Sequence, residues 1–281
     1  MVMQSTSDDT LPPTRPADAA RGRVPALGAR VGQSRWTGLL LVLALLGLWE
    51  LSARFWVDSA NWPPFSRVVM ALFEEGTGRE LFFVFAASLR LMLTGFVIGA
   101  GLGIALGVAI GLNRFLREML SPMVELLRPL PVPGLVPPLI LLLGIDAAMK
   151  GTVVAFAVLF PVLINTAQGV RAVEPTLLDT ARTFRHGRAR SILAVILPAS
   201  LPYIFSGLRI SLALALIVTV VAEMIAGGTG IGYYLMTMQY AMRSAEMYAA
   251  VVLLAVTGYA LNFIIVSVER RVLRWYFAQQ D

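Results

Sequence analysis

The sequence has no cysteine, one histidine (His186) and one lysine (Lys150) among its 281 residues. Without cysteine there is no disulfide, no thiolate metal site and no cysteine nucleophile. A single histidine leaves little room for a histidine-built metal centre or a Ser-His-Asp arrangement. Charge is scarce as well: 14% of the residues are Asp, Glu, Lys or Arg, where a soluble domain carries about 25%. Titratable groups are too scattered for a membrane-embedded enzyme, with Glu50, Glu223 and His186 far apart along the chain. No G-x-x-x-x-G-K-[ST] occurs, and Lys150 precedes no serine or threonine. The chain therefore cannot supply a nucleotide-binding P-loop.

Apolar residues make up 57% of the chain. A bilayer core of about 30 Å needs roughly 20 of them per helix. On that criterion the expectation is an all-α, polytopic membrane protein with spans near 37–57, 86–112, 121–143, 151–170, 200–226 and 247–268. Residues 1–35 form a Pro/Ala/Arg/Ser/Thr tail without apolar periodicity and read as disordered. The apolar run after this tail is long and lacks a small-residue cleavage site, unlike a cleavable signal peptide.

The net charge of +6 would suggest nucleic acid in a soluble protein. Here the arginines lie between apolar runs, so no nucleic acid is expected and membrane topology accounts for them. Cytoplasmic loops are enriched in Lys and Arg. Fifteen of these residues fall in the N-terminal tail, the loops after the second and fourth spans and the C-terminal tail, against four in the alternate loops. Both termini are expected in the cytoplasm.

Several features inside the spans ask for an explanation. Gly95, Gly99, Gly103, Gly107 and Gly111 recur at every fourth residue of the second span, a spacing that lets another helix approach closely. That helix belongs either to the same chain or to a second copy. The third span, "RPLPVPGLVPPLILLLGI", carries Pro129, Pro131, Pro133, Pro137 and Pro138. Non-helical backbone at membrane depth is either packed in protein or lines a watery path. Pro131, Pro133, Asn165, Arg209 and Glu223 are the candidates for a pathway or gate. An intramembrane carboxylate such as Glu223 serves either function or a structural hydrogen bond, and snorkelling explains Glu50 and Arg90 near span ends. "GGTGIG", Gly227–Gly232, lacks G-x-G-x-x-G spacing and follows no strand, so it reads as a tight loop rather than a phosphate cradle.

The segment "EPTLLDTARTFRHGRARSILAVILPASLP" is the polar exception. Pro175 suits a first helical turn, and Leu177, Leu178, Ala181 and Phe184 recur at helical spacing. A helix over about 175–187 is half the length of a span, with Gly187 as its expected stop. Its apolar face, with Leu178, Ala181 and Phe184, wants a partner.

Asp179-Thr180-Ala181 followed by Val195-x-Leu197-Pro198 resembles the E-A-A-x3-G-x9-I-x-L-P loop of ABC importer permeases. "NTAQGVRAVEPTLLDTART", "LPASLPYIFSGLRISLALALIVTVVAEM" and "ERRVLRW" resemble the nitrate/sulfonate/taurine branch of that family, and the likeness runs from about residue 36 to 275. The resemblance implies a type I importer permease domain over 36–275, with 276–281 as a short tail. It implies a bacterial inner-membrane subunit that is not itself an enzyme. Its coupling helix, with Leu178, Asp179, Ala181, Arg182, Phe184, Arg185 and Gly187, docks on a separate ATPase that binds ATP and Mg. A second permease copy, membrane lipids and an extracytoplasmic binding protein complete the implied partners. The implied cargo is a small anion such as a sulfonate, taurine, nitrate or bicarbonate. Arg185 stands where the family has glycine, and Asp179 where it has glutamate. A left-handed residue at 185 is costly for arginine, so the expected helix runs on to about His186 and turns at Gly187.

Overall fold

A computed structural model describes residues 35–57, 59–74, 76–185 and 187–278. The N-terminal tail, His186 and the last three residues lie outside them. By its contacts the chain divides into two units, Met1–Trp49 and Glu50–Asp281. The described part of the first is the start of α1 (Arg35–Phe55), a long apolar helix.

Helices joined by short loops make up the described residues of the second unit. After the end of α1 come α2 (Phe65–Phe73), α3 (Thr77–Leu112) and α4 (Arg114–Leu127). A 3-10 turn over Val132–Leu135 leads into α5 (Val136–Leu143), followed by α6 (Ala147–Arg171) and the short α7 (Pro175–Thr183). The one-turn α8 (Arg188–Ser191) joins α9 (Leu197–Ala226) through a π-helical turn, and α10 (Ile231–Tyr240), α11 (Ser244–Val272) and α12 (Arg274–Phe277) follow. Five helical stretches among the described residues are long and apolar enough to cross a membrane. The pair α4 and 132–143, bent by 90°, makes the sixth if it crosses as one broken span.

Three of the differences from the sequence reading have a local cause. α3 starts at Thr77, nine residues early, with Glu80 in its first turn, where a carboxylate suits the positive end of the helix dipole. The third span is two helices at a right angle: Pro131 and Pro133 flank a turn in which the Pro131 carbonyl accepts from Gly134 N–H at 2.7 Å. The fifth runs unbroken from Arg188. Pro198 has no N–H for the Ala194 carbonyl four residues back, and the backbone widens there. The N–H of Leu197 donates instead to Ile192 O, five residues away.

α6 is the central helix. Its Val153, Val154, Ala157, Val158 and Val162 form one core with Met92 and Ala100 of α3, Val136 of α5, and Leu212, Ala215 and Val218 of α9. The glycine stripe faces this helix. A Cβ on Gly95 would lie 2.8 Å from Val154 Cβ, one on Gly107 2.6 Å from Thr166 Cβ, and one on Gly111 2.6 Å from Val170 Cβ. Close approach within the chain is what the glycines provide, and the stripe is not free for a second copy.

Glu50 has a more specific role than snorkelling. Its carboxylate accepts from Ser66 N at 2.9 Å and Ser66 Oγ at 2.9 Å, in the first turn of α2, and from Arg54 Nε at 2.6 Å. A side-chain acceptor in a first turn satisfies an N–H that the helix leaves open. On the same side, Trp62 meets the edge of Tyr248 of α11, with ring centroids 5.9 Å apart.

Candidate functional site

The right-angle break opens a cavity of about 510 Å³ between the 3-10 turn, α6 and α9. Pro133 and Asn165, named from sequence, meet on its wall, together with Arg128, Phe156, Phe160 and Ile217. Pro161 interrupts the ladder of α6 at this level, and Asn165 Nδ2 donates to the Pro161 carbonyl at 2.8 Å. A broken ladder beside a cavity is where irregular backbone is tolerated inside a membrane.

Pro131 lies just outside this wall, as the cap of the 3-10 turn. Arg209 is not part of it either. Its guanidinium pairs with the Glu269 carboxylate, joining α9 to α11 beside a separate, mostly apolar groove of about 580 Å³ between those helices.

Glu223 lines neither of these two cavities. It is buried, and both carboxylate oxygens face the Ser88 hydroxyl of α3 at 2.7 and 2.9 Å. One of them also accepts from Gly232 N–H at 3.0 Å, and Ser88 Oγ accepts from Ile231 N–H at 2.7 Å. Lys150 completes the arrangement: its ammonium donates to Gly227 O at 2.7 Å and to Thr229 O at 3.1 Å. The glycine loop is therefore tied to α3, α6 and α9 by the Ser88, Lys150 and Glu223 side chains. Gly230 is required in it, with φ of +115° and the Glu223 carboxyl where a Cβ would stand. Beyond the loop, burial pushes the Tyr234 hydroxyl of α10 up to about 12, so it stays neutral. Of the two readings of Glu223, the geometry favours the structural one.

α7 ends at Thr183, four residues short of the expected stop. Arg185 takes the left-handed conformation (φ +51°), and its N–H donates to Arg182 O at 2.8 Å. Gly187 is extended (φ −65°, ψ 160°) and precedes α8. The turn is made at 185, where the family carries glycine, and the assignment to Gly187 is corrected. Phe184 N–H still donates four residues back, to Thr180 O, but Arg185 N–H turns to Arg182 O, three back, and the helix stops there. The expected face is corrected too. Ala181 is 4% exposed, and Leu178 packs on Val170, Val173 and Ile196 of the same chain. Phe184 and Leu177 are the apolar residues left outward, at 71% and 45% exposure. Asp179 and Arg182 form an exposed i,i+3 pair at 2.9 Å.

Sequence reasoning missed Ser88, Arg128 and Glu269. Ser88 and Glu269 acquire their roles from partners more than fifty positions away, and no local signal marks them. Arg128 stands beside Pro129 at the bend, which a proline-centred reading could have included.

Residues 99–276 match the family model described as "Binding-protein-dependent transport system inner membrane component". Over 278 residues the chain is 31% identical to a Bacillus subtilis (strain 168) protein named an aliphatic sulfonates transport permease, SsuC, covering 98% of both chains. It is 30% identical to the nitrate import permease protein NrtB of Leptolyngbya laminosa, covering 92% of this chain and 96% of that one. Among solved structures, a chain of the inward-facing MetNI methionine ABC transporter superposes with a TM-score of 0.63 at 17% identity, covering 71% of this chain and 99% of its own. A bacterial ABC transporter involved in the import of the acidic polysaccharide alginate gives 0.58 at 18% identity, covering 88% and 93%. The likeness to these two shows a shared fold. With the family match and the full-length relatives, the chain belongs to the binding-protein-dependent transport inner-membrane components, the permease subunits of ABC importers.

Proposed function

We infer that the 510 Å³ cavity beside the broken span is this chain's share of a translocation pathway for a small anion. One observation carries the reading: Pro133 and Asn165, singled out as pathway candidates, share that cavity with a cationic side chain, Arg128. Relatives named for sulfonate and nitrate transport support the substrate class. ATP and Mg bind to a separate ATPase, and an extracytoplasmic binding protein delivers the solute. Two copies of this chain form the pathway. Both termini and α7 face the cytoplasm, where Leu177 and Phe184 enter the ATPase groove.

Uptake of radiolabelled taurine, ethanesulfonate, nitrate and bicarbonate into proteoliposomes holding the permease, its ATPase and its binding protein tests this. Uptake of one of them should require ATP and the binding protein, and native mass measurement should give two permeases and two ATPases. Phe184→Ala should lower ATPase retention and uptake together while the permease melts normally. Uptake that persists without the ATPase would identify a secondary transporter instead.

A further inference from the structure

A second, smaller cavity lies on the same face of α6. It measures about 220 Å³ and is bounded by Arg117, Ser121, Glu125, Arg128, Gln168 and Arg171, among others. Arg128 and Ile164 line both cavities. Along α6 the wall runs from Phe160 and Ile164 to Gln168 and Arg171, a helical stripe at spacings of three and four residues. The seven steps along the helix from Ile164 to Arg171 rise about 10 Å.

The lining changes character along that stripe. The larger cavity is walled chiefly by aliphatic and aromatic side chains, with Arg128 at one edge. The smaller one has three guanidinium groups against one carboxylate, Glu125. None of the three arginines forms an ion pair among the described residues, although Arg54, Arg114, Arg182, Arg209 and Arg243 do. Glu125 likewise forms no ion pair among the described residues. Guanidinium groups present forked donors suited to planar or tetrahedral oxyanions. A cleft with an excess of one charge concentrates counter-ions.

We propose that the α4–α6 cavity is an oxyanion-binding station on the inner side of the pathway. A small sulfonate, carboxylate or nitrate-like anion leaving the larger cavity passes by way of Arg128 to Arg117 and Arg171 before release. The proposal rests on the reading of the larger cavity as a pathway. The same donors also suit the phosphate of an anionic lipid, so the source of the oxyanion has to be tested.

The chain has no cysteine, so Ile164→Cys introduces its sole thiol. In the permease–ATPase complex in nanodiscs, this variant is treated with sulfonatoethyl or trimethylammonioethyl methanethiosulfonate, and the label on this chain is read by intact mass. Relative to Ser59→Cys, in a loop remote from both cavities in sequence, the rate ratio of anionic to cationic reagent should rise about tenfold or more, and this rise is the preference that is read. Arg128→Gln and Arg171→Gln should each reduce the preference at Ile164→Cys severalfold, with the ratio within one variant guarding against differences in folding. No charge preference, or a preference unchanged in both arginine variants, overturns the station. A preference that emerges only when phosphatidylglycerol is withdrawn from the nanodisc assigns the arginines to lipid phosphate and overturns it equally. Asn165→Cys separates the two levels of inference. If it labels and is protected during transport while Ile164→Cys shows no preference, the pathway stands and the station falls. If neither position labels, both fall.

Discussion

Ser88 and Glu223 stand 135 positions apart in the chain, and their side chains meet at 2.7 Å in the interior. Ser88 also receives the N–H of Ile231, and Glu223 that of Gly232. Removing either side chain therefore strands a backbone donor of the glycine loop, and an unsatisfied buried group costs about 1–3 kcal/mol. Ser88→Ala and Glu223→Leu should each lower the melting temperature of the purified permease. Glu223→Gln should be close to silent, because an amide can accept from Gly232 and donate to Ser88. Gly230→Ala should be at least as harmful as Glu223→Leu, since it combines a positive φ with a collision on the carboxyl. A gate role for the charge would show instead as a transport defect in Glu223→Gln at unchanged stability.

The turn after α7 gives an ordered pair of variants. Arg185 holds a left-handed φ that costs an ordinary residue about 1 kcal/mol or more, and glycine adopts it freely. Glycine's larger entropy in the unfolded chain offsets part of the gain. Arg185→Gly should leave stability unchanged or raise it by up to about 1 kcal/mol. Gly187 has ordinary dihedrals and nothing within 4 Å of a Cβ placed on it, so Gly187→Val should stay within about 0.5 kcal/mol of the parent. Both variants should retain substrate-stimulated ATP hydrolysis in the reconstituted complex. A Gly187→Val that uncouples hydrolysis would restore the turn to that residue.

Ala181→Asp should act within the permease rather than at the ATPase. The position is 4% exposed in the isolated chain, and an unpaired buried carboxylate costs several kcal/mol. Proteolysis of the purified permease without ATPase should cut near 175–185 faster in this variant than in the parent. Equal digestion would return Ala181 to the docking surface.

The α3–α6 seam sorts glycines that look alike in sequence. A Cβ on Gly103 would sit 2.9 Å from the Leu159 carbonyl and 2.9 Å from Val162 Cβ, whereas one on Gly101 would meet nothing within 4 Å. Gly103→Leu should reduce the yield of folded protein sharply, with overpacking alone costing about 1–3 kcal/mol. Gly101→Leu should express and melt like the parent. Size-exclusion profiles in detergent distinguish these outcomes.

Arg209 and Glu269 suit a double-mutant cycle. Glu269 is 12% and Arg209 45% exposed at their side chains, so breaking the pair should cost about 1–3 kcal/mol, less than a fully buried pair. Replacing both by leucine should recover most of that loss. Additive losses in melting experiments would mean that the two groups do not interact.

The sequence disclosed most where apolar length, glycine spacing and arginine bias repeat over many residues. Those signals gave the spans, the α3 stripe and the short polar helix. It disclosed less where a residue's role depends on a partner brought near only by folding. Glu223 was visible as an anomaly, but Ser88 is one serine among many, and only the packing of α3 on α9 distinguishes it. The turn after α7 is illegible for a different reason. A preference for glycine at positive φ points to Gly187, whereas the left-handed residue is Arg185, whose N–H donates to Arg182 O. Leu178 and Ala181 show the same limit: periodicity identifies an apolar face but does not say whether the cover is this chain or another.

The only lysine in the chain has its ammonium held between two carbonyls of the glycine loop and is 5% exposed. Apart from the N-terminal amine, the protein thus offers acylating reagents a single target, and that target is shielded for as long as the loop stays down. Lifting the loop would expose a nucleophile that the resting molecule conceals. Lysine acylation followed across the ATP cycle would then act as a clock for movements at this end of the transporter, with no residue substituted.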